Sequence, residues 1–278
     1  MVSEFIFNNI NIDPMRLQII FSLKSNKNFL PANYQHHISS WIYKCISAGD
    51  KEFAGFLHQK GYGERNKHFK FFTFGPLDIR PYHFHKTRGV FELYGNQLSL
   101  QVSFFVPEAA ELFIKGINVV NEAYFGDKIN GIQLGVDELR IVPEPLMLNT
   151  MTYKLVSPCC ISRPAQEGEK HSQYLSPQDR EFVPRLIDNL KIKYGVAQNV
   201  LIHIEEEHPD FEPKVRVLTS QPKSKLITIK TLTKHEISVR GWLFECQITA
   251  PLDVQSFIWN VGLGEKGSMG FGMVDVKP

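Results

Sequence analysis

The stretch GLGEKGSMGFG (residues 262–272) places five glycines in eleven residues. Glycine permits positive φ and the close approach of another backbone or of a phosphate, at an entropic cost. Gly262, Gly264 and Gly267 match the G-x-G-x-x-G pattern of dinucleotide-binding loops, which follows a strand and opens a helix. Here the order is reversed, because the apolar residues of 254–261 have helical spacing and the residues after the loop leave room for one strand. The pattern excludes a dinucleotide site, so the glycines need another ligand or a structural reason.

Composition and charge place the chain among ordinary globular proteins. It is 43% hydrophobic and 22% charged, and its formal net charge of +2 is too small to identify a partner. No apolar run reaches the roughly 18 residues of a membrane span, and the first residues lack the basic start and apolar core of a signal peptide. We therefore expect a cytoplasmic protein with no membrane partner.

The cysteines and histidines predict neither a disulfide framework nor a metal site. None of the four cysteines lies in a C-x-x-C pattern, so free thiols in a reducing compartment are expected. His83 and His85 have no carboxylate or cysteine partner at suitable spacing, which favours ordinary strand or loop histidines. No metal and no cofactor is predicted.

Hydrophobic periodicity and turn residues predict the same order of elements twice. The first half reads as a strand at 15–23, helices at 33–47 and 50–59, strands at 69–74 and 90–105, a helix at 107–117 and a strand at 132–142. A hairpin at 94–97 interrupts the run 90–105. The second half reads as a strand at 153–157, a helix at 176–194, strands at 214–218, 226–230 and 241–249, a helix at 252–261 and a strand at 271–276.

Each half approximates β-α-β-β-α-β, the ferredoxin-like motif. The sequence therefore predicts an α+β protein of two tandem ferredoxin-like domains with a C-terminal glycine-rich loop. Prolines at 143 and 145 mark the junction. We expect an N-terminal extension at 1–14, a first domain at 15–143 and a second domain at 144–278.

This arrangement resembles the CRISPR-associated Cas six family of repeat-processing endoribonucleases, in the RAMP superfamily. The C-terminal VGLGEKGSMGFGMV resembles the family's glycine-rich signature. In the first half MRLQIIF, PANYQHHISSWIYKCIS, FLHQKGY and KFFTF follow one another in the family's order. The resemblance covers residues 15–276.

The resemblance implies a specific reaction. Members of this family cut the repeats of a long CRISPR transcript into guide RNAs without a metal ion. The 2′-hydroxyl upstream of the scissile bond attacks phosphorus and leaves a 2′,3′-cyclic phosphate and a 5′-hydroxyl. The implied partner is CRISPR repeat RNA, and the resemblance leaves open a homodimer and other subunits of a CRISPR effector complex.

The resemblance also assigns catalytic residues. In the archaeal branch that the chain most resembles, the site is a tyrosine, a histidine and a lysine, which correspond to Tyr43 in WIYKC, His58 in FLHQK and Lys70 in KFFTF. Tyr43 lies off the apolar stripe of its helix. His58 ends a short helix, where the helix dipole favours a protonated imidazole by roughly 0.3–1 kcal/mol. Lys70 offers a cation to a phosphorane that gains negative charge.

Alternatives to two of these residues stay open. The segment between His58 and Lys70 is longer than in that branch, so Lys67 is the alternative lysine. His36 and His37 are alternative catalytic histidines, since some branches of the family place the histidine in the first helix.

RNA binding is predicted for the glycine-rich loop and for a basic segment. Bare backbone N–H groups can hold phosphates, and 211–240 carries seven basic residues against two acidic ones. A structural alternative is a tight helix-to-strand connection capped by a glycine. The predicted RNA-binding residues are Gly262, Gly264, Lys266, Gly267, Ser268, Gly270, Gly272, Lys225 and Lys230.

Two other functions compete with this one. The first is a non-catalytic RNA-binding subunit of the RAMP superfamily, which would be favoured if the three catalytic candidates lay far apart. The second is a generic RNA-binding module in which bases stack on sheet aromatics such as Phe69, Phe71 or Phe104.

Overall fold

The computed structural model describes residues 14–25, 27–63, 67–165, 172–200, 211–229 and 236–277. The predicted N-terminal extension lies outside the described residues apart from Pro14, and so does Lys230. Within the described ranges, no helix is both long enough and apolar enough to cross a membrane. All four cysteines are buried and free.

The first half contains one five-stranded antiparallel sheet and a separate three-stranded sheet. Its elements are β1 (Met15–Leu23), β2 (Phe29–Pro31), α1 (Gln35–Gly49), α2 (Lys51–Gln59), β3 (Phe72–Phe74), β4 (Tyr82–His85), β5 (Val90–Leu93), β6 (Gln97–Phe104), α3 (Pro107–Val120), β7 (Glu122–Gly126) and β8 (Gly131–Val142). The large sheet has the order β3-β6-β1-β8-β7, and the small one has the order β2-β5-β4.

The second half repeats the plan. Its elements are β9 (Thr150–Leu155), β10 (Ser162–Arg163), β11 (Gln173–Tyr174), α4 (Phe182–Val200), β12 (Lys214–Val217), β13 (Lys223–Ile229), β14 (Ile237–Leu243), β15 (Glu245–Thr249), α5 (Leu252–Val261), a 3₁₀ turn (Gly267–Met269) and β16 (Val274–Val276). The main sheet has the order β12-β15-β9-β16, which corresponds strand for strand to β3-β6-β1-β8. Two tandem ferredoxin-like folds are therefore confirmed.

The structure differs from the predicted elements in strand pairing. The predicted hairpin within 90–105 is wrong, because β5 pairs with β2 and β4 while β6 pairs with β1 and β3. The predicted strand at 69–74 begins only at Phe72, since Phe71 has a φ of 49°. The run 241–249 divides into β14 and β15 at Phe244. Periodicity reports which residues face a core, but not which strand is the neighbour.

Arg16 joins the two halves. Its side chain is 2% exposed and leaves β1 toward the second half, where Nη1 donates to the carbonyl of Val274 at 3.0 Å. Nη2 donates to the carbonyl of Trp259, and the guanidinium lies 3.4 Å from the centroid of the Trp259 ring. Thr73 adds a second link, because its hydroxyl donates to the carbonyl of Phe271 at 2.9 Å. These bonds place the glycine-rich loop against the first domain's sheet.

We predict that Arg16→Met strongly destabilises the protein. The change leaves two carbonyl acceptors without their donors, and each such loss costs about 1–3 kcal/mol, or about 2–6 kcal/mol together. Urea denaturation measures the free energy of unfolding. Arg80→Met is the control, since Arg80 is exposed and pairs with the nearby Asp78. Equal losses in the two variants would contradict the role given to Arg16.

Candidate active site

Tyr43 and His58 meet because α2 folds back directly after α1. α1 ends at Gly49, and the carboxylate of Asp50 then caps α2 by accepting the N–H of Phe53 at 2.8 Å. The short connection brings the last turn of α2 against the exposed side of α1. The rings of Tyr43 and His58 are edge to face, with centroids 4.9 Å apart.

Lys70 joins this pair at the C-terminal end of α2. Its Nζ donates to the backbone carbonyl of His58 at 3.1 Å, which places a cation at the negative end of the helix dipole. Gly61 makes the approach possible, because it has a φ of +67° and a Cβ there would lie 2.8 Å from Cδ of Lys70. Burial lowers the pKa of Lys70. The structure thus brings together all three residues assigned by the resemblance.

The left-handed backbone at Phe71 directs the side chains of Lys70 and Phe72, on either side of it, toward the cluster. A non-glycine residue in this conformation costs roughly 1–2 kcal/mol, so it persists only where its surroundings hold it. Here the buried Phe71 ring stacks on Tyr62 and Phe69. Lys70 then reaches the end of α2, while the ring of Phe72 packs against Tyr43 with centroids 5.5 Å apart.

The glycine-rich loop borders the same cluster. Ser39 of α1 donates from its hydroxyl to the carbonyl of Ser268 at 2.8 Å, and the side chain of Ser268 lies near enough to Tyr43 to influence the pKa of its phenol. Burial raises the pKa of Tyr43 to about 12, although the nearby Ser268 acts in the opposite direction. Tyr43 is therefore a neutral phenol near pH 7. A predicted RNA-binding residue contacts a predicted catalytic one.

The five glycines of the loop are placed differently. Gly262 caps α5, since its N–H donates to the carbonyl of Ile258 at 2.9 Å. Gly264, Gly270 and Gly272 are buried, and each has a positive φ. A Cβ at any of these four would lie 1.9–2.5 Å from a neighbouring atom. Most of the glycines are thus required by close packing, which favours the alternative that the loop is a tight helix-to-strand connection.

The half-exposed tip of the loop lines a cleft of about 1000 Å³ between the two halves. Lys266, Gly267 and Ser268 form one part of its wall, segment 67–72 forms another, and α4 forms a third. Two acidic residues, Asp188 and Glu265, lie among a larger number of cations. The basic lining residues are Lys67, Lys70, Arg185, Lys191, Lys193 and Lys266. A net positive cleft adjoining the cluster suits a phosphate backbone.

Helix α4 is the part of this cleft that the sequence analysis missed. Its signal was available in PRLIDNLKIK (184–193), where basic residues recur along one helix, but charges on a helix usually indicate a solvated face. The sequence instead predicted RNA binding for the basic segment 211–240. Lys225 is exposed on β13 and does not line the cleft.

The alternative residues have distinct positions. His36 and His37 lie in the first turn of α1, about 9–11 Å from Tyr43 along the helix axis. Burial and the neighbouring His36 lower the pKa of His37, although Asp127 opposes this effect. Lys67 lines the same cleft as Lys70 and remains its alternative.

His83 and His85 are strand histidines on β4, as expected, but the expectation that neither has a carboxylate partner is wrong. His85 does have a carboxylate partner, because its Nε2 lies 2.8 Å from Oε2 of Glu92 on the adjacent strand β5. Cross-strand pairing supplies this contact, and spacing along the chain does not reveal it. In the described part of the chain, no three histidine, cysteine or acidic side chains are grouped so that they could hold a metal ion.

Family models match both halves of the chain. The model described as "CRISPR-associated protein Cas6, N-terminal" matches residues 29–138, and the one described as "CRISPR associated protein Cas6, C-terminal" matches residues 142–276.

Individual relatives extend the match over nearly the whole chain. A protein of Methanocaldococcus jannaschii named CRISPR-associated endoribonuclease Cas6 1 is 28% identical, over 94% of this chain and 92% of its own. A Pyrococcus furiosus protein named CRISPR-associated endoribonuclease Cas6 is 26% identical, over 89% and 84%. A solved structure titled as a Cas6-related gene from Pyrococcus furiosus shares the fold, with a TM-score of 0.76, 22% identity and coverage of 95% and 98%.

The fold and the site define a class: proteins of two tandem ferredoxin-like domains whose last helix and strand are joined by a glycine-rich loop beside a basic cleft. Since the two family models together account for both halves, the chain belongs to the Cas6 family. The resemblance drawn from the residues is thereby confirmed.

We predict opposite effects for two glycines near the end of α2. Gly61→Ala forces a side chain into a left-handed conformation and against the Phe69 carbonyl, so the free energy of unfolding should fall by about 1–3 kcal/mol. Gly55→Ala is the control within α2, where a Cβ meets nothing within 4 Å. It should stabilise the helix by up to about 1 kcal/mol. Urea denaturation compares them, and a stable Gly61→Ala protein would contradict the strained approach of Lys70.

Proposed function

We propose that this protein is an endoribonuclease that cuts the repeat sequence of CRISPR transcripts. The observation that carries the proposal is the contact of Tyr43, His58 and Lys70 in one cluster beside a basic cleft. Membership of the Cas6 family supports it, as do two relatives named CRISPR-associated endoribonucleases. In this proposal the domain at 15–143 supplies the cluster and the domain at 144–278 supplies the glycine-rich loop.

The proposed reaction needs no metal, because the nucleophile is the RNA's own 2′-hydroxyl. The 2′-oxygen upstream of the scissile bond forms a bond to phosphorus while the bond from phosphorus to the 5′-oxygen breaks. The 2′-hydroxyl loses its proton to a base, and the departing 5′-oxygen takes a proton from an acid. The products are a 2′,3′-cyclic phosphate and a 5′-hydroxyl.

His58 is the principal proton carrier in this proposal. Imidazole is the side chain whose ordinary pKa lies closest to neutrality, and the exposed ring of His58 is open to a substrate. Tyr43, protonated near pH 7, orients His58 or the attacking hydroxyl. Lys70 stabilises the negative charge that builds up on the phosphorane. Ser268 and Lys266 hold the neighbouring backbone.

The two competing functions have less support. A non-catalytic RNA-binding subunit needs no cluster, whereas Tyr43, His58 and Lys70 are in contact. A stacking platform needs exposed rings, whereas Phe71 and Phe104 are 4% and 0% exposed. Of the three rings named for this alternative, only Phe69 is partly exposed, and it lines the cleft.

We predict that cleavage of the repeat RNA continues in EDTA. A substrate with a single 2′-deoxy nucleotide immediately upstream of the cut should bind but stay intact, because its nucleophile is missing. Gel analysis of the products, with end-group identification, measures both results. Cutting of the deoxy substrate, or loss of cleavage in EDTA with correctly folded RNA, would rule out the mechanism.

We predict that His58→Ala lowers the single-turnover cleavage rate by about 10²–10⁴-fold, the usual contribution of general acid–base catalysis, with little change in RNA affinity. Tyr43→Phe should be milder, because it removes a hydrogen bond and leaves the proton carrier. Lys70→Ala should lower both rate and affinity, since its charge also meets the bound phosphate.

The matched comparison for His58 uses the two histidines of the first turn of α1. His36→Ala and His37→Ala should cut at close to the wild-type rate in the same assay. If either abolishes cutting while His58→Ala cuts normally, the site assignment is wrong, although an endoribonuclease function could survive.

A further inference from the structure

Three residues of α4 form a stripe along the wall of the cleft. Arg185, Asn189 and Lys193 are spaced four residues apart, so they lie on one side of the helix at intervals of about 6 Å along its axis. All three line the cleft, in which segment 67–72 and the glycine-rich loop form the other walls. None of the three is among the residues for which the sequence predicts a role.

Lys193 is a buried cation whose bonding capacity is largely unused. The residue is 6% exposed, and its ammonium donates to the carbonyl of Gly262 at 3.3 Å. An ammonium has three protons to donate, and in the described part of the chain no carboxylate lies within ion-pair distance of this one. Burial lowers its pKa to about 8, although Cys159 and Glu265 oppose the shift. A buried charge without an ionic partner is costly unless a ligand pairs with it.

Asn189 adds an unused acceptor one turn away. Its Oδ1 is buried and has no hydrogen-bond partner among the described residues. A phosphate cannot satisfy this atom, because a phosphate oxygen is also an acceptor. A ribose 2′-hydroxyl can donate to it, and this hydroxyl is the group that distinguishes RNA from DNA.

We propose that the stripe of Arg185, Asn189 and Lys193 is an RNA-backbone site, in which Lys193 binds a phosphate and Asn189 accepts a hydrogen bond from a ribose 2′-hydroxyl. Arg185, already bonded to Glu181 at 2.9 Å, extends the site to a second phosphate. The proposal rests on the proposed function, since it takes the ligand to be the repeat RNA. It assigns the RNA a second wall that includes none of the three catalytic candidates.

The test of Lys193 uses repeat RNA carrying one 2′-deoxy nucleotide at the cut, so that binding is measured without cleavage. Lys193→Met should weaken binding about 10–100-fold, the value of a hydrogen bond to a charged group. It should also reduce the slope of log K against log salt by about 0.7, as expected for one phosphate contact to a single strand.

The control for Lys193 is Lys115→Met. Lys115 lies on α3, pairs with Glu111 at 2.5 Å and does not line the cleft. It should bind RNA like the wild type. Thermal unfolding of Lys193→Met distinguishes binding from folding: loss of an unpaired buried charge should leave the midpoint unchanged or raise it. A lower midpoint with an unchanged salt slope would show a purely structural lysine and overturn the proposal.

The test of Asn189 compares this RNA with an all-DNA oligonucleotide of the same sequence. The wild type should prefer the RNA, and Asn189→Leu should reduce that preference about three- to tenfold, the value of one neutral hydrogen bond. An unchanged preference would overturn the role of Asn189. If wild-type protein cuts unmodified repeat RNA while Lys193→Met and Asn189→Leu bind normally, the proposal that the stripe binds RNA is wrong and the proposed function is supported. If the wild type neither binds nor cuts the repeat RNA, the proposed function and the proposal about the stripe are both wrong.

Discussion

The buried guanidinium of Arg16 is the interaction on which the arrangement of the two halves depends. A charge removed from water is tolerated only where hydrogen bonds replace its hydration. Carbonyls at the end of α5 and in β16 do this for the two Nη groups of Arg16, and the face of Trp259 adds a cation–π contact. Burial lowers the pKa of Arg16 to about 10, with Asp275 and Glu144 opposing, so it stays charged at neutral pH. The two carbonyls that accept hydrogen bonds from Arg16 lie on either side of the glycine-rich loop in the chain. Their positions therefore fix the two ends of the loop.

The candidate site is consequently a property of the domain interface. Tyr43 belongs to the first half and Ser268 to the second, and they meet because the loop is held between β3 and α1. Polar side chains repeat this pattern elsewhere in the seam, as where Ser103 of β6 donates to Asn260 of α5 at 3.4 Å. Directional bonds of this kind are satisfied at one relative position of the halves, whereas apolar contacts alone tolerate sliding.

The spacing of apolar residues predicted those elements whose bounds depend on residues near one another in the chain. β1 and α5 have the bounds expected from the sequence, and the buried stripe of α1 is the one that its spacing indicated. Partners distant in the chain could not be predicted in this way. The pairing of β5 with β2 depends on a hydrogen bond just before β2, where the carbonyl of Asn28 accepts the N–H of Leu93. The late start of β3 depends on the aromatic rings packed around Phe71. The resemblance supplied the catalytic candidates, but spacing alone would have left His58 an ordinary helix-end histidine.

The surroundings of the three clustered residues give each side chain a different chemical capacity, and this follows from the structure without the resemblance. Tyr43 has its pKa raised to about 12, so near neutral pH it can donate a hydrogen bond but cannot act as a base. Lys70 is tied to the end of α2 and gives up part of its hydration, which suits a fixed charge beside a phosphate. The imidazole of His58 is exposed, so it is open to solvent and to a bound molecule. The same fold that buries a tyrosine and anchors a lysine thus leaves the histidine exposed, which supports the role of proton carrier proposed for it.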